Sequence, residues 1–270
     1  MDKFKRNERL AVMTQVLTAA PNRIFTLSHF CEMFGAAKST VSEDAAILAE
    51  TMRQFKLGTV ETVTGAAGGM RYRPMTQEGE GRQFMEGVCE MMRAPSRVLP
   101  GGYLYFSDIL SDPALVAGMG RLFASAFYDA GVDFVLTMET KGIPVALMTA
   151  QALHVPLTIA RHSSKVYEGS AVNISYVSGK GVIETMSLSR RAVREGSTAL
   201  IVDDFMRGGG TARGMLSMLS EFNVKCVGTC FVMAVDNPMN PILPDCRPLM
   251  LLKEVKDGQP IQVRVADWVK

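Results

Sequence analysis

The chain has 270 residues, 47% hydrophobic and 21% charged, with 29 Lys and Arg against 27 Asp and Glu, a net charge of +2. That composition excludes a disordered tail, a collagen-like repeat and a disulfide scaffold, and the length admits one large domain or two ordinary ones. Five cysteines, an odd number without the dense even spacing of a secreted framework, point to a reducing, cytoplasmic compartment. Cys226 and Cys230 have no second pair at metal-ligand spacing, so they read as small buried hydrophobes and no metal site is expected.

Residues 1–73 hold ten Lys or Arg and seven Asp or Glu, and four of those ten cations, Lys3, Lys5, Arg6 and Arg9, lie in the first nine positions. Leu10, Met13, Leu17 and Ala20 form a helical stripe that stops at Pro21 and Asn22. A short segment from Leu27 to Phe34 follows and is closed by Gly35. A third helix comes next, for which Thr40-Val-Ser-Glu43 fits a capping box and Val41, Ala45, Leu48 and Met52 supply the buried stripe. This is the helix-turn-helix arrangement, with Lys38, Ser39, Thr40 and Ser42 at the end of the third helix that meets phosphates and base edges. Gly58 to Thr64 alternates as a strand, Gly65 to Gly69 is a turn, and Met70 to Arg73 returns. The hairpin makes the unit a winged helix. Its DNA contacts are expected from the basic arm, Gly68 and Gly69 in the turn, and Arg71 and Arg73 on the backbone. A helical dimerisation domain with a structural wing is the other reading. His29 is expected in or beside this core.

Residues 1–74 therefore make a first domain and residues 75–270 a second, with 75–100 as a polar connector that becomes helical at Phe84, Val88, Met91 and Met92. From Gly142 to Ala160 no side chain carries a fixed charge, nearly the length of a membrane span. Pro144, Gln151, His154 and Pro156 favour instead a helix ending near His154 and a buried strand after Pro156. Beyond Gly102, strands at Val132–Met138, Leu157–Ala160, Ala199–Val202 and Cys226–Val235 alternate with helices at Val145–His154 and Gly210–Phe222. The pattern is that of an α/β, doubly wound, mainly parallel sheet with its ligand at the strands' carboxyl ends.

One such end reads Thr198-Ala-Leu-Ile-Val-Asp203-Asp204-Phe205-Met206-Arg207-Gly208-Gly209-Gly210-Thr211. The glycines let backbone N–H groups converge on an anion, and the helix that follows adds its N-terminal dipole. Two acids repel that anion but suit neutral hydroxyl donors or a phosphate-bound magnesium, and a sugar phosphate offers both kinds of group.

This element resembles the phosphoribosyl-diphosphate (PRPP) motif of type I phosphoribosyltransferases. The resemblance implies that Asp203 and Asp204 hold ribose hydroxyls and that Arg207 to Thr211, following Phe205 and Met206, hold the 5′-phosphate. Thr137 to Gly142, with Glu139, Thr140 and Lys141, looks like the diphosphate loop. Arg161 to Gly181 looks like the mobile hood, with Arg161 and Lys165 as diphosphate cations and Ser163 to Ser170 closing over it. Gly208 stands where most of these enzymes have Thr or Ser, and no base-recognition segment is evident near the C-terminus, so PRPP is expected to bind without catalysis. Tyr103 and Tyr105 either line the pocket or pack in the core, and His162, beside the hood, is the one histidine placed to touch a ligand.

Both halves together resemble the purine operon repressors of Gram-positive-type bacteria, through Lys38 to Asp44, Gly65 to Gly69, Leu99 to Tyr103, Lys141 to Pro144, Tyr176 to Gly179, Thr185 to Leu188 and Asp203 to Met206. The resemblance implies a homodimer on double-stranded operator DNA, with PRPP, with or without Mg2+, as an inducer that weakens DNA binding. It implies guanosine tetraphosphate as a competitor in at least some members, activation rather than repression in some, and no membrane. Two alternatives stand beside it: a purine phosphoribosyltransferase with an added N-terminal domain, and a regulator whose main ligand is a guanine nucleotide.

Overall fold

The computed structural model describes residues 4–65, 68–74, 79–101, 103–164, 169–178, 181–237, 243–253, 255 and 261–270. The chain divides into two compact units, residues 1–78 with 151–154, and residues 79–150 with 155–270.

The first unit holds helices α1 (Arg6–Ala19), α2 (Leu27–Phe34) and α3 (Lys38–Gln54) and an antiparallel hairpin of β1 (Thr59–Val63) and β2 (Gly69–Arg73). Its core is Met13, Leu17, Phe25, Phe30, Phe34, Val41, Leu48, Met52 and Met70, which includes Met13 and Leu17 of the first expected stripe and Val41, Leu48 and Met52 of the other, while Leu10, Ala20 and Ala45 are only partly buried against it. The ends of α2 are set chemically: the Thr26 hydroxyl accepts from the His29 N–H, and Gly35 takes the left-handed conformation and donates to the Cys31 carbonyl. His29 lies at the surface of this core, its ring against Phe25 and Phe30. Helix α3 departs from the expected capping box. It begins at Lys38 behind Ala37 with no side-chain cap, so Thr40 already lies in the first turn. Glu43 reaches Arg6 instead, and Asp44 is buried against Arg9. Phe25 and Met70 exchange backbone hydrogen bonds, each of 2.8 Å, fastening the wing beside α2.

The second unit opens with α4 (Glu80–Met92), then a small ribbon of β3 (Val98–Leu99) and β4 (Tyr103–Leu104), α5 (Ser107–Ser111) and α6 (Pro113–Phe127). The connector reading is corrected here, because α4 buries Met85, Val88, Cys89 and Met92 within the unit and its Arg82 N–H donates to the Lys270 carbonyl. Its inward face also differs from the expected one, with Met91 exposed. Asp112 caps α6 by accepting from the Ala114 and Leu115 N–H groups.

There follow β5 (Phe134–Met138), α7 (Ile143–Leu153), β6 (Leu157–Ala160), β7 (Ala171–Val177), β8 (Ile183–Ser189), β9 (Thr198–Met206), α8 (Gly210–Glu221), β10 (Lys225–Val235), β11 (Cys246–Leu252) and β12 (Val263–Val265). Six strands form one sheet in the order β12-β11-β10-β9-β5-β6, parallel except that β12 runs antiparallel to β11. The uncharged run from Gly142 is α7 and β6, and no helix among the described residues is long and apolar enough to cross a membrane. Cys230 is fully buried on β10, where burial pushes its thiol well above the usual range.

Most of the segment read as the latter part of a hood is ordered structure. Strands β7 and β8 pair antiparallel from Ala171–Ser189 to Val177–Ile183, and Val172, Tyr176, Met186 and Leu188 join the core formed by β5, β9 and α8.

Candidate functional site

Strand β9 runs through the middle of the sheet with Ala199 to Val202 at zero exposure, then delivers Asp203 and Asp204 to its carboxyl end. Its crossover through α8 leads to β10 on one side, while β5 crosses through α7 to β6 on the other. The carboxyl ends of β9 and β5 therefore flank the switch point, where open α/β sheets place their ligands.

Asp203 is buried, and Asp204 donates its N–H to Asp203 Oδ1 at 3.0 Å. Burial, reinforced by the charge of Asp204, holds the Asp203 carboxyl well above the usual carboxylate range. Burial also raises Asp204, against which the Lys141 ammonium acts in the opposite direction. Beyond the acids, Gly209 adopts the left-handed conformation at φ 66°, and α8 starts at Gly210 without a side-chain cap. No side chain caps the opening N–H groups of α8, and the helix dipole favours an anion there. A Cβ at Gly210 would lie 2.0 Å from the Val177 carbonyl oxygen, so that position requires glycine.

Two adjoining cavities share Tyr103, Phe205, Arg207 and Gly208. One, of about 390 Å³, holds Asp203, Gly208 to Thr211, Met206, Ser178 and Glu184. The other, of about 790 Å³, holds Asp204, Lys141, Phe106, Asp236, Asn237 and Lys253. The acid pair, the glycine loop, Lys141 and Tyr103 thus line these two cavities. Tyr103 is 59% exposed, which places it at the rim of this cleft and not in the core. Tyr105 is also exposed, its carbonyl accepting from Arg97 Nη1.

Glu139, Thr140 and Gly142 lie just past β5, and the Glu139–Thr140 peptide bond is cis. Gly142 packs under Asp203, but Glu139 faces elsewhere, accepting from the His162 N–H at 2.7 Å and from Arg161 Nη1 at 3.3 Å. Arg161 is therefore an ion-pair partner of Glu139, with its backbone bridged to Ser187, rather than the free cation expected for a diphosphate. Lys165 lies outside the described residues. Ser178, Glu184, Phe106, Asp236, Asn237 and Lys253 are cleft residues that the sequence reading missed. For Ser178 and Glu184 the signal was the alternation along 171–177 and 183–189 on either side of a Ser-Gly-Lys-Gly sequence, a hairpin pattern.

In the first unit, Lys38, Ser39 and Ser42 are exposed and Thr40 half-exposed on the uncapped opening turns of α3. Lys5, just before α1, is also exposed, and Lys3 lies outside the described residues. Arg9 and Arg73 do not serve as surface cations. Arg9 is buried with its Nε 2.6 Å from Asp44 Oδ2, and Arg73 is buried with Nη1 3.2 Å from Glu61 Oε1 and Nε 3.2 Å from Asn22 Oδ1. Arg71 shares Glu61 at 2.9 Å, and Arg6 is paired with Glu43 and Asp44. Gly68 and Gly69 are packing glycines, since a Cβ would lie 2.8 Å from the Val63 oxygen at the first and 2.2 Å from the Phe25 oxygen at the second.

A winged helix in one unit, with an acid pair and an uncapped glycine loop at the switch point of an α/β sheet in the other, defines a DNA-binding regulator built on a phosphoribosyltransferase-type fold. Residues 5–74 match the family described as bacterial purine repressor, N-terminal, and residues 106–268 match the phosphoribosyl transferase domain. The purine biosynthesis transcriptional repressor PurR of Bacillus subtilis (strain 168) is 44% identical over 84% of this chain and 80% of its own length. The purine biosynthesis transcriptional activator PurR of Lactococcus lactis subsp. lactis (strain IL1403) is 39% identical over 83% of each. Adenine phosphoribosyltransferase from Saccharomyces cerevisiae superposes with a TM-score of 0.53 at 20% identity, over 62% of this chain and 98% of the other, a likeness of fold. The chain belongs to the family of bacterial purine-biosynthesis transcriptional regulators.

Proposed function

We propose that the chain is a repressor of purine-biosynthesis genes whose hold on operator DNA is weakened when PRPP occupies the cleft around Asp203 and Asp204. The observation that carries this reading is the joining of that acid pair to the uncapped Gly208–Thr211 turn, on a chain whose other unit is a winged helix. Repression, rather than activation, rests on the higher identity to the Bacillus subtilis repressor than to the Lactococcus lactis activator.

In this mechanism the α8 N–H groups and the Thr211 hydroxyl receive the 5′-phosphate, and the two acids accept the ribose hydroxyls. Lys141 sits beside Asp204 in the larger cavity, where it meets the diphosphate end, and the carboxylates suit a magnesium ion that accompanies a diphosphate. Transfer chemistry is not part of the function, a reading supported by Gly208 in place of a hydroxyl side chain. The protein acts as a homodimer, and guanosine tetraphosphate competes for the cleft.

Coupling is reciprocal: if PRPP weakens DNA binding, DNA weakens PRPP binding by the same factor, about 5- to 150-fold for typical couplings. Fluorescence anisotropy on upstream purine-gene DNA at fixed salt, with and without PRPP and magnesium, tests the reading. Release by PRPP is expected. An absence of DNA binding under every ligand condition overturns it, and release of diphosphate from PRPP with a purine base would restore the enzyme alternative.

A further inference from the structure

A carboxylate with no part in holding ribose or phosphate lines the smaller cavity: Glu184, on β8. It stands directly across the hairpin from Tyr176, whose phenol donates to Glu184 Oε2 at 2.8 Å. The Tyr176 ring lies so close to α8 that a Cβ at Gly214 would sit 2.9 Å from it, and the Val177 carbonyl closes over Gly210. Strands β7 and β8 are thereby fastened to the first turns of α8. Glu184 is held half-buried at the phosphate end of the cleft, unable to swing freely into solvent.

A phosphate brings close to two negative charges into that end at neutral pH. A carboxylate fixed in the same partly enclosed cavity opposes it, and burial weakens the screening that salt gives to surface charges. We propose that Glu184, positioned by Tyr176, is a charge gate on the phosphate subsite, holding the affinity for phosphorylated ribose below what the turn and the acid pair alone would give. The gate sets the ligand concentration at which the cleft fills, so the protein answers to a high rather than a trace level of its effector. The inference rests on reading the cleft as a site for a phosphorylated ribose.

Titration calorimetry of the full-length chain with PRPP and with ribose 5-phosphate separates the two claims. E184Q keeps the size of the side chain and an acceptor for Tyr176 while removing the charge. It is expected to bind both ligands about tenfold more tightly. E184D, which retains the charge, is expected to stay near wild type, and E184A supplies the neutral variant should E184Q fail to fold. Equal binding by the neutral variants overturns the gate. Weaker binding also overturns it, since Glu184 would then be an acceptor for the ligand. A wild-type chain that binds neither ligand overturns the phosphorylated-ribose reading instead.

Discussion

Gly142 lies directly beneath Asp203: a Cβ at residue 142 would sit 2.2 Å from Asp203 Oδ1 and 2.6 Å from Thr137 Oγ1. The loop after β5 and the acid at the end of β9 are thus one structure, and the missing side chain at 142 leaves room for the buried carboxylate. G142A forces Asp203 out of place without touching the winged helix. PRPP affinity is expected to fall by about tenfold or more, equivalent to at least 1.4 kcal/mol, with operator binding of the ligand-free protein unchanged. Calorimetry for the first and anisotropy for the second check this, and parallel loss of both would signal a folding defect.

The basic residues of the first unit divide into two kinds, and substitution distinguishes them. Lys38 is exposed at the start of α3, so K38A is expected to reduce the slope of log K against log salt by about one for the lost phosphate contact. Arg73 is buried between Glu61 and Asn22, so R73A is expected to leave that slope alone and to destabilise the unit. The cost is about 1–3 kcal/mol, the range for leaving a buried polar partner unsatisfied, and urea unfolding reads it. A reduced slope in R73A would return Arg73 to the interface.

How much of this was readable in the sequence depended on whether the deciding partner was near in the chain. Helix α2 is punctuated by its own residues, Thr26 and Gly35, and was readable from end to end. The turn at Gly208 to Thr211 follows an unbroken apolar strand, so its place at a strand end needed no tertiary knowledge. The start of α3 was misread because Glu43 and Asp44 are committed to Arg6 and Arg9, 37 and 35 residues away, rather than to a local cap. The same long-range pairing hides which cations are surface groups: the sequence counts Arg9 and Arg73, but only packing shows them neutralised inside. Glu184 was missed because its role depends on the strand opposite.

Asp203 carries a pH dependence whose sign follows from its surroundings. Burial, then the neighbouring Asp204 charge, raises its carboxyl well above the ordinary aspartate value of 3.8, which the unfolded chain keeps. Between that value and the raised one, the folded protein holds a proton that the unfolded chain has released. Stability therefore falls as pH rises through that window. D203N carries no charge to bury, so its unfolding midpoint is expected to exceed that of wild type at neutral pH and to decline less as pH rises from about 5, above the unfolded carboxyl's range. PRPP binding is expected to be lost in the same variant, the trade of stability for function that buried site acids impose. Thermal melts across pH test the first claim, and a midpoint below wild type at neutral pH would contradict it.

Helix α4 lies between the two stretches that match known families, residues 5–74 and 106–268, yet it is built into the second unit. Met85 and Met92 are fully buried, and the Arg82 N–H caps the chain's last carbonyl at Lys270. A tether between modules would tolerate truncation of its apolar side chains, because nothing would pack on them. A structural helix would not, since M85A empties a space in a close-packed core at a cost of about 2–5 kcal/mol. The expected result is a destabilised effector unit, with loss of cooperative unfolding in a fragment of residues 106–270 and its retention in one of residues 79–270. Calorimetric unfolding of the two fragments decides between the roles. Equal stability would make α4 a connector after all, and leave Met85 and Met92 without an energetic reason for their burial.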